Sequence, residues 1–184
     1  MTGRVLGNTE LASGALGKKT LTDNAGTALK LIFLCTHNAC RSIVSEAIFR
    51  QRGDGLVLAA SAGSAPSGVV HPLTLRHLVA RGYDPAGLFS KSMDELSEFA
   101  PDAVITVCDG SAEAACPVWL DLTPRVHWPL PDPTRLADPA LIDAEFAAVF
   151  STLERCLQRL LVHLQVGRGT EEAMDCRHLL NSEA

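Results

Sequence analysis

The stretch Leu31-Ile-Phe-Leu-Cys35-Thr-His-Asn-Ala-Cys40-Arg41-Ser42-Ile-Val-Ser-Glu46 decides how this chain is read. An apolar run of strand type ends in a cysteine, an arginine follows six residues later, and a serine then opens an amphipathic helical pattern. A loop wrapped so that the amides of residues 36 to 41 point inward would combine with the helix N-terminus into a positive concavity sized for a tetrahedral anion. Arg41 adds a rigid fork of donors able to grip two oxygens at once. Helix N-termini and neighbouring cations stabilise thiolates, which makes Cys35 the candidate nucleophile. The expected oxyanion contacts are Thr36, His37, Asn38, Ala39, Cys40, Arg41 and Ser42. Binding site and nucleophile therefore come from one loop.

Outward from this loop the chain alternates strands and helices. Leu29 to Leu34 is a buried strand by its continuous apolar run. Ser42 to Arg52 reads as a helix whose Ile43, Ala47 and Ile48 face a sheet and which Gly53 ends. Leu56 to Ser61 is the next strand, followed by a Gly, Ser and Pro loop to Gly68. His71 to Arg81 is a helix with Pro72 in its first turn. Ser92 to Glu98 is a short helix with Ser92 as cap and Glu95 completing a capping box. Ala103 to Cys108 and Arg125 to His127 are strands, and Asp138 to about Gln165 is a long amphipathic helix. This order predicts an α/β fold, a single-domain three-layer sandwich with a central parallel sheet and helices on both faces. Catalytic groups in such folds lie beyond the carboxyl ends of strands, where both Cys35 and Cys108 fall.

Composition agrees with an ordinary soluble enzyme. The chain has 184 residues, 47% hydrophobic and 20% charged, enough for one domain with a real core. Residues 1–28 carry no sustained periodicity and are expected to be a flexible extension, 29–165 the domain, and 166–184 a C-terminal tail. No apolar run approaches the roughly 18 residues that suggest a membrane span, and no compact signal-type segment opens the chain. A cytoplasmic location is the expectation, with no membrane partner. The net charge of −5 argues against general nucleic-acid binding, so anion recognition must be local. Six cysteines in such a chain point to catalysis, metal binding or core filling rather than a disulfide scaffold. A zinc site from Cys35, Cys40, Cys108 and Cys116 is disfavoured, because the spacings are long and Arg41 would repel the ion. No metal or cofactor is expected.

Cys35 to Ser42 resembles the Cys-x5-Arg-Ser phosphate loop of the low-molecular-weight protein tyrosine phosphatases and of the arsenate reductases that share their fold. The resemblance runs from about Lys30 to about Gln165 and includes Ser61-Ala-Gly63-Ser64, Ser90-Lys91-Ser92, Val104-Ile-Thr-Val-Cys108 and His127-Trp128 leading to Pro131-Asp132-Pro133. The Cys108 and Cys116 pair and the His-Trp before Asp-Pro resemble the reductase branch. On this resemblance Cys35 attacks arsenate, Arg41 and the loop amides hold the oxyanions, and Asp132 protonates the departing oxygen. Cys108 would then attack the arsenic adduct and Cys116 would take over the disulfide, exporting it to an external reductant. Thioredoxin is the expected donor, with glutaredoxin and glutathione as the alternative. Seven residues separate Cys108 from Cys116, where the family pattern has six. If that relay is absent, the chain is a phosphatase or a reductase using a small external thiol.

Two other readings stand beside this one. A tyrosine phosphatase needs only the loop and Asp132, yet the tyrosine pair usual after Asp-Pro is absent, since Tyr83 is the chain's one tyrosine. A non-catalytic oxyanion or redox sensor is the third reading, which an intact Asp132 opposes.

The remaining residues are read singly. Asn38 should take a left-handed conformation and anchor the turn with its amide. Ser42 has two open roles, helix cap or hydrogen-bond partner of the Cys35 thiolate. Cys40 reads as structural, with protective pairing to Cys35 as the alternative. His37 reads as a rim residue, and His127 as a support for the Asp132 loop. Asn38, Glu46, Ser61 and Asp94 resemble positions that hold a monovalent cation in some reductases; otherwise Glu46 is an ordinary helix-surface residue. Cys156 falls at core spacing in the last helix, and Cys176 in the polar tail reads as exposed.

Overall fold

The computed structural model describes residues 28–108, 120 and 122–166. Four strands, β1 (Leu29–Cys35), β2 (Val57–Gly63), β3 (Ala103–Thr106) and β4 (Arg125–His127), form one sheet in the order β2-β1-β3-β4. All three pairings are parallel: Leu29 lies opposite Val57, Leu31 opposite Ala103, and Val104 opposite Arg125. The helices are α1 (Arg41–Arg52), α2 (Pro72–Ala80) and α3 (Pro139–Val166). The predicted α/β class and parallel sheet are observed.

Period-two alternation divides the core into two layers. Leu29, Leu31, Phe33 and Cys35 of β1 point into a cluster with α1, α3 and Trp128, while Ile32 and Leu34 point into a second cluster with Ala60, Ala62, Met93, Val104 and Leu120. Helix α1 is buried almost all round because the sheet, α2 and α3 surround it. Phe33, Phe49 and Trp128 pack as a tilted trio with ring centroids 4.7 to 6.1 Å apart. Burying Trp128 fixes where the chain leaves β4, since its amide donates to Thr106 O at 2.8 Å.

Several boundaries differ from the sequence reading. Strand β2 runs on to Gly63, so Ser61-Ala-Gly63 lies within it rather than after it. The expected helix from Ser92 to Glu98 is a single 3-10 turn over Asp94–Leu96. Ser92 instead bridges Gly63 in parallel fashion, which holds its backbone extended, although the reciprocal capping bond from Ser92 N to Glu95 Oε1 forms at 2.8 Å. Gly53 ends α1 with φ −75°, without a left-handed turn. Its lack of a side chain matters for space, because a Cβ there would collide with Phe49 O. Among the described residues no helix is long and apolar enough to cross a membrane.

In the order β2-β1-β3-β4 the sheet extends one way from β1 through β2 and the other way through β3. That reversal opens a crevice at the carboxyl ends of β1 and β3. Cys35 ends β1, and Cys108 follows two residues after β3.

Candidate active site

The segment from Thr36 to Cys40 wraps between β1 and α1, and its carbonyls are taken up from outside. Ser64 N donates to Cys35 O, Ala65 N to Thr36 O, Ser67 N to His37 O and His71 N to Ala39 O, at 2.8 to 3.3 Å. In a trans peptide plane the C=O and the following N–H point opposite ways. The amides of Thr36, His37, Asn38 and Cys40 are therefore turned away from this outer strand of contacts, toward the concavity. Asn38 N donates to Cys35 Sγ at 3.2 Å.

Asn38 has φ +46° and is fully buried, as its expected role in the turn requires. Its Oδ1 accepts from Lys91 N at 2.8 Å, and its Nδ2 donates to Ser42 Oγ at 2.9 Å and Ser61 Oγ at 2.8 Å. Ser42 Oγ in turn lies 2.9 Å from Cys35 Sγ. The two open roles of Ser42 are thus decided. Helix α1 begins at Arg41 with Cys40 as its flanking residue and no side-chain cap, so Ser42 sits inside the first turn and serves the thiol. Gly63 lines the opposite wall; a Cβ there would lie 2.7 Å from Thr36 O and 3.1 Å from Asn38 N.

Arg41 is buried, and its Nη2 pairs with Asp132 Oδ2 at 2.9 Å while Nη1 donates to Leu130 O at 3.3 Å. The other carboxylate oxygen, Asp132 Oδ1, accepts from Thr134 N at 3.1 Å and Thr134 Oγ1 at 2.6 Å. Asp132 is thus brought to the loop as predicted, from 91 residues away. Burial pushes the Cys40 thiol up to about 12, a push that Thr74 partly offsets and that Asp132 and Cys35 reinforce. Cys40 is accordingly inert at neutral pH, which fits its structural reading.

The other expected residues divide. Thr36 and Ala39 are partly exposed on the loop, and His37 is exposed at its rim. Cys108 is buried beside Val107, whose amide donates to Leu34 O at 2.8 Å, so it stands one strand over from Cys35 at the same end of the sheet. Cys35, Cys40, Cys108 and Cys156 are all free thiols, and Cys156 is in the core. Cys116 and Cys176 lie outside the described residues. His127 Nδ1 lies 2.8 Å from Thr106 Oγ1 on the neighbouring strand.

Glu46 is a correction. It is not a helix-surface residue but is 4% exposed, because α1 turns this face toward β2. Glu46 Oε2 accepts from Ser61 Oγ at 2.6 Å and Lys91 Nζ at 3.0 Å. An ammonium therefore already sits on the carboxylate that the cation comparison singled out, and Asp94 is exposed on the 3-10 turn. Neither Lys91 nor Thr134 stood out as functional in the sequence. Lys91 was visible only as the centre of Ser90-Lys91-Ser92, a pattern that carries no hint of burial. Among the described residues no cluster of three or more His, Cys, Asp or Glu is placed to hold a metal.

Comparison with known proteins bears on the same elements. A protein named glutaredoxin arsenate reductase from Synechocystis is 30% identical over 104 residues, covering 56% of this chain and 78% of its own length. An arsenate reductase from Bacillus cereus is 33% identical over 103 residues, with 56% and 75% covered. Among solved structures, a thioredoxin-dependent arsenate reductase from Corynebacterium glutamicum is 26% identical with a TM-score of 0.58, over 79% of this chain and 66% of that one. A low molecular weight protein tyrosine phosphatase from T. tengcongensis shares the fold at 19% identity and a TM-score of 0.59, over 72% of this chain and all of its own. The family described as low molecular weight phosphotyrosine protein phosphatase matches residues 30–170, a span that contains the Cys35–Ser42 loop, the β1/β3 crevice and Asp132. Loop, sheet order and sequence thus agree that the chain belongs to the low-molecular-weight phosphotyrosine protein phosphatase family.

Proposed function

We propose that this protein is an arsenate reductase in which Cys35 is the nucleophile, Arg41 and the loop amides bind the oxyanion, and Asp132 is the general acid. The observation that carries the reading is that Cys35 Sγ accepts from Asn38 N at 3.2 Å and lies 2.9 Å from Ser42 Oγ, inside a loop whose amides converge. Hydrogen bonds to a sulfur anion favour the thiolate needed for attack. Thr36, His37, Asn38, Ala39, Cys40, Arg41 and Ser42 form the cradle, with phosphate and sulfate as analogues of arsenate.

In the proposed cycle Cys35 sulfur bonds to arsenic(V), and one arsenate oxygen leaves as water with a proton from Asp132. Cys108 thiolate then attacks Cys35 sulfur. A Cys35–Cys108 disulfide forms, the sulfur–arsenic bond breaks, and its electron pair leaves with arsenic as arsenite. Cys116 attacks Cys108, freeing Cys35, and an external dithiol reduces the Cys108–Cys116 disulfide. Support for Cys108 comes from its position beside the carboxyl end of β1. The arsenate reductase names of the relatives support the substrate, and the names of two of them span glutaredoxin and thioredoxin coupling. Thioredoxin is the donor we favour, since a relay that ends in a disulfide is matched by a protein dithiol that reduces it by exchange. The cytoplasm, where such donors are kept reduced, is the compartment this chemistry fits.

Arsenite release from arsenate, assayed separately with thioredoxin and its reductase, with glutaredoxin plus glutathione, and with no donor, tests the proposal. Arsenite is expected with thioredoxin, and Cys35→Ser is expected to abolish it while phosphate still binds. Hydrolysis of an aryl phosphate with no arsenite under any donor would instead make the protein a phosphatase.

A further inference from the structure

Behind the nucleophile loop, four side chains close a ring of hydrogen bonds. Lys91 N donates to Asn38 Oδ1, Asn38 Nδ2 to Ser61 Oγ, Ser61 Oγ to Glu46 Oε2, and Lys91 Nζ to the same Oε2, at 2.6 to 3.0 Å. All four residues are buried. Lys91 closes the ring from both ends, with its backbone on the asparagine and its ammonium on the carboxylate.

The directions of these bonds are determined. A backbone N–H can only donate, so Asn38 must turn its oxygen to Lys91 and its NH2 to the two serines. The glutamate, ion-paired to an ammonium, accepts only, so Ser61 spends its proton there and is left to accept from Asn38. Ser42 likewise accepts from Asn38, which leaves its own proton for Cys35 Sγ. Reversing the asparagine amide would remove the reason for Ser42 to donate to sulfur.

We infer that Lys91 is a positioning residue for Cys35: its ion pair with Glu46 clamps its own backbone amide against Asn38, and that clamp sets the direction in which Ser42 donates to the nucleophile. Among the described residues Lys91 Nζ also meets Phe89 O at 3.3 Å and the Phe89 ring at 4.5 Å, and Arg50 reaches Glu46 Oε1 at 3.6 Å from the partly exposed side of the same helix. Among the described residues the charged and titratable groups at the sulfur end include Arg41 on α1, Cys40 beside it, Cys108 beyond β3 and Asp132 on the loop after β4. The inference rests on the reading of Cys35 as nucleophile.

The test is the pH–rate profile of Cys35 alkylation by iodoacetamide, followed by fragmentation of the tryptic peptide Leu31–Arg41 so that Cys35 and Cys40 are distinguished. Wild type, Glu46→Gln, Lys91→Met and the double variant are compared, with folding checked by circular dichroism. The single variants should move the profile to higher pH by about one unit, the size expected for losing a hydrogen bond to a charged group. The double variant should move it no further, since both changes open one clamp. A merely structural pair would lower the melting temperature and leave the profile in place. Lys91→Met strands a buried carboxylate and Glu46→Gln a buried ammonium; if either fails to fold, the double variant, which carries neither charge, decides the matter by whether its profile moves. An unchanged profile in folded Glu46→Gln, or additive shifts in the double variant, would overturn the clamp alone. A wild-type profile with no reactivity below pH 7 would overturn the nucleophile reading and the clamp with it.

Discussion

Arg41 and Asp132 are bound to each other, Nη2 to Oδ2 at 2.9 Å, with both side chains nearly sealed from solvent. In the proposed reaction the residue that grips the oxyanion and the residue that protonates its departing oxygen thus occupy one another. An incoming oxyanion has to take Arg41 away from Asp132, and in doing so it frees the carboxyl group for proton transfer.

Asp132→Asn should therefore split binding from turnover. The neutral amide releases Arg41, so phosphate binds more tightly, while arsenate turnover falls by about 10²–10⁴-fold for want of a general acid. Calorimetric phosphate titration beside single-turnover kinetics checks both. Tighter binding with unimpaired chemistry would move the proton donor elsewhere.

Cys108→Ser should block arsenite release yet leave hydrolysis of a small aryl phosphate nearly intact, because water completes that reaction without a second thiol. Cys116→Ser should allow one turnover and trap a Cys35–Cys108 disulfide, seen by peptide mass mapping. Normal thioredoxin-driven turnover of Cys116→Ser would take that cysteine out of the relay.

Gly63→Ala should damage the loop from outside it. The added methyl would lie 2.7 Å from Thr36 O and 3.1 Å from Asn38 N, both backbone atoms, so the loop itself has to shift. Overpacking of this kind costs about 1–3 kcal/mol, readable in a urea titration. Phosphate affinity should fall as well; a stable variant with full affinity would show that the loop yields freely.

His77 gives a pH dependence of stability away from the site. Burial lowers its pKa below the ordinary 6.5, helped by Arg76 and opposed by Asp143 at 3.2 Å, while the ring stacks on Phe146 of α3. The unfolded chain then binds the proton more readily than the folded one. This contribution is fully present above pH 6.5 and is lost as pH falls below it toward the folded-state value. Thermal melts of wild type and His77→Gln between pH 5 and 8 should converge toward the acid end; parallel curves would remove His77 as the cause.

Much of this was legible along the chain because it is local. The strand, loop and helix around Cys35 are contiguous, and apolar runs and cap patterns report directly on contiguous backbone. Arg125–His127, the long last helix and the left-handed Asn38 followed for the same reason. The short element after Lys91 is a single 3-10 turn where the pattern predicts a helix, since a capping pattern describes a helix start and says nothing about whether enough chain remains to propagate it.

Asp132 was placed at the site by resemblance, and only the fold gave it Arg41 as a partner 91 residues away. Glu46 and Lys91 show the limit most clearly. A glutamate on a helix and a lysine in a Ser-Lys-Ser loop read as solvated charges, the usual state of such residues. Their burial depends on α1 facing β2 and on the chain after Phe89 passing behind the loop, contacts separated by 45 residues. What the sequence determined by itself is the strand, loop and helix around Cys35 and the α/β order, all written in neighbouring residues. Which charges are buried, and which side-chain hydroxyl meets the sulfur, was decided only by tertiary packing, because such contacts belong to the closed ring and not to any residue in it.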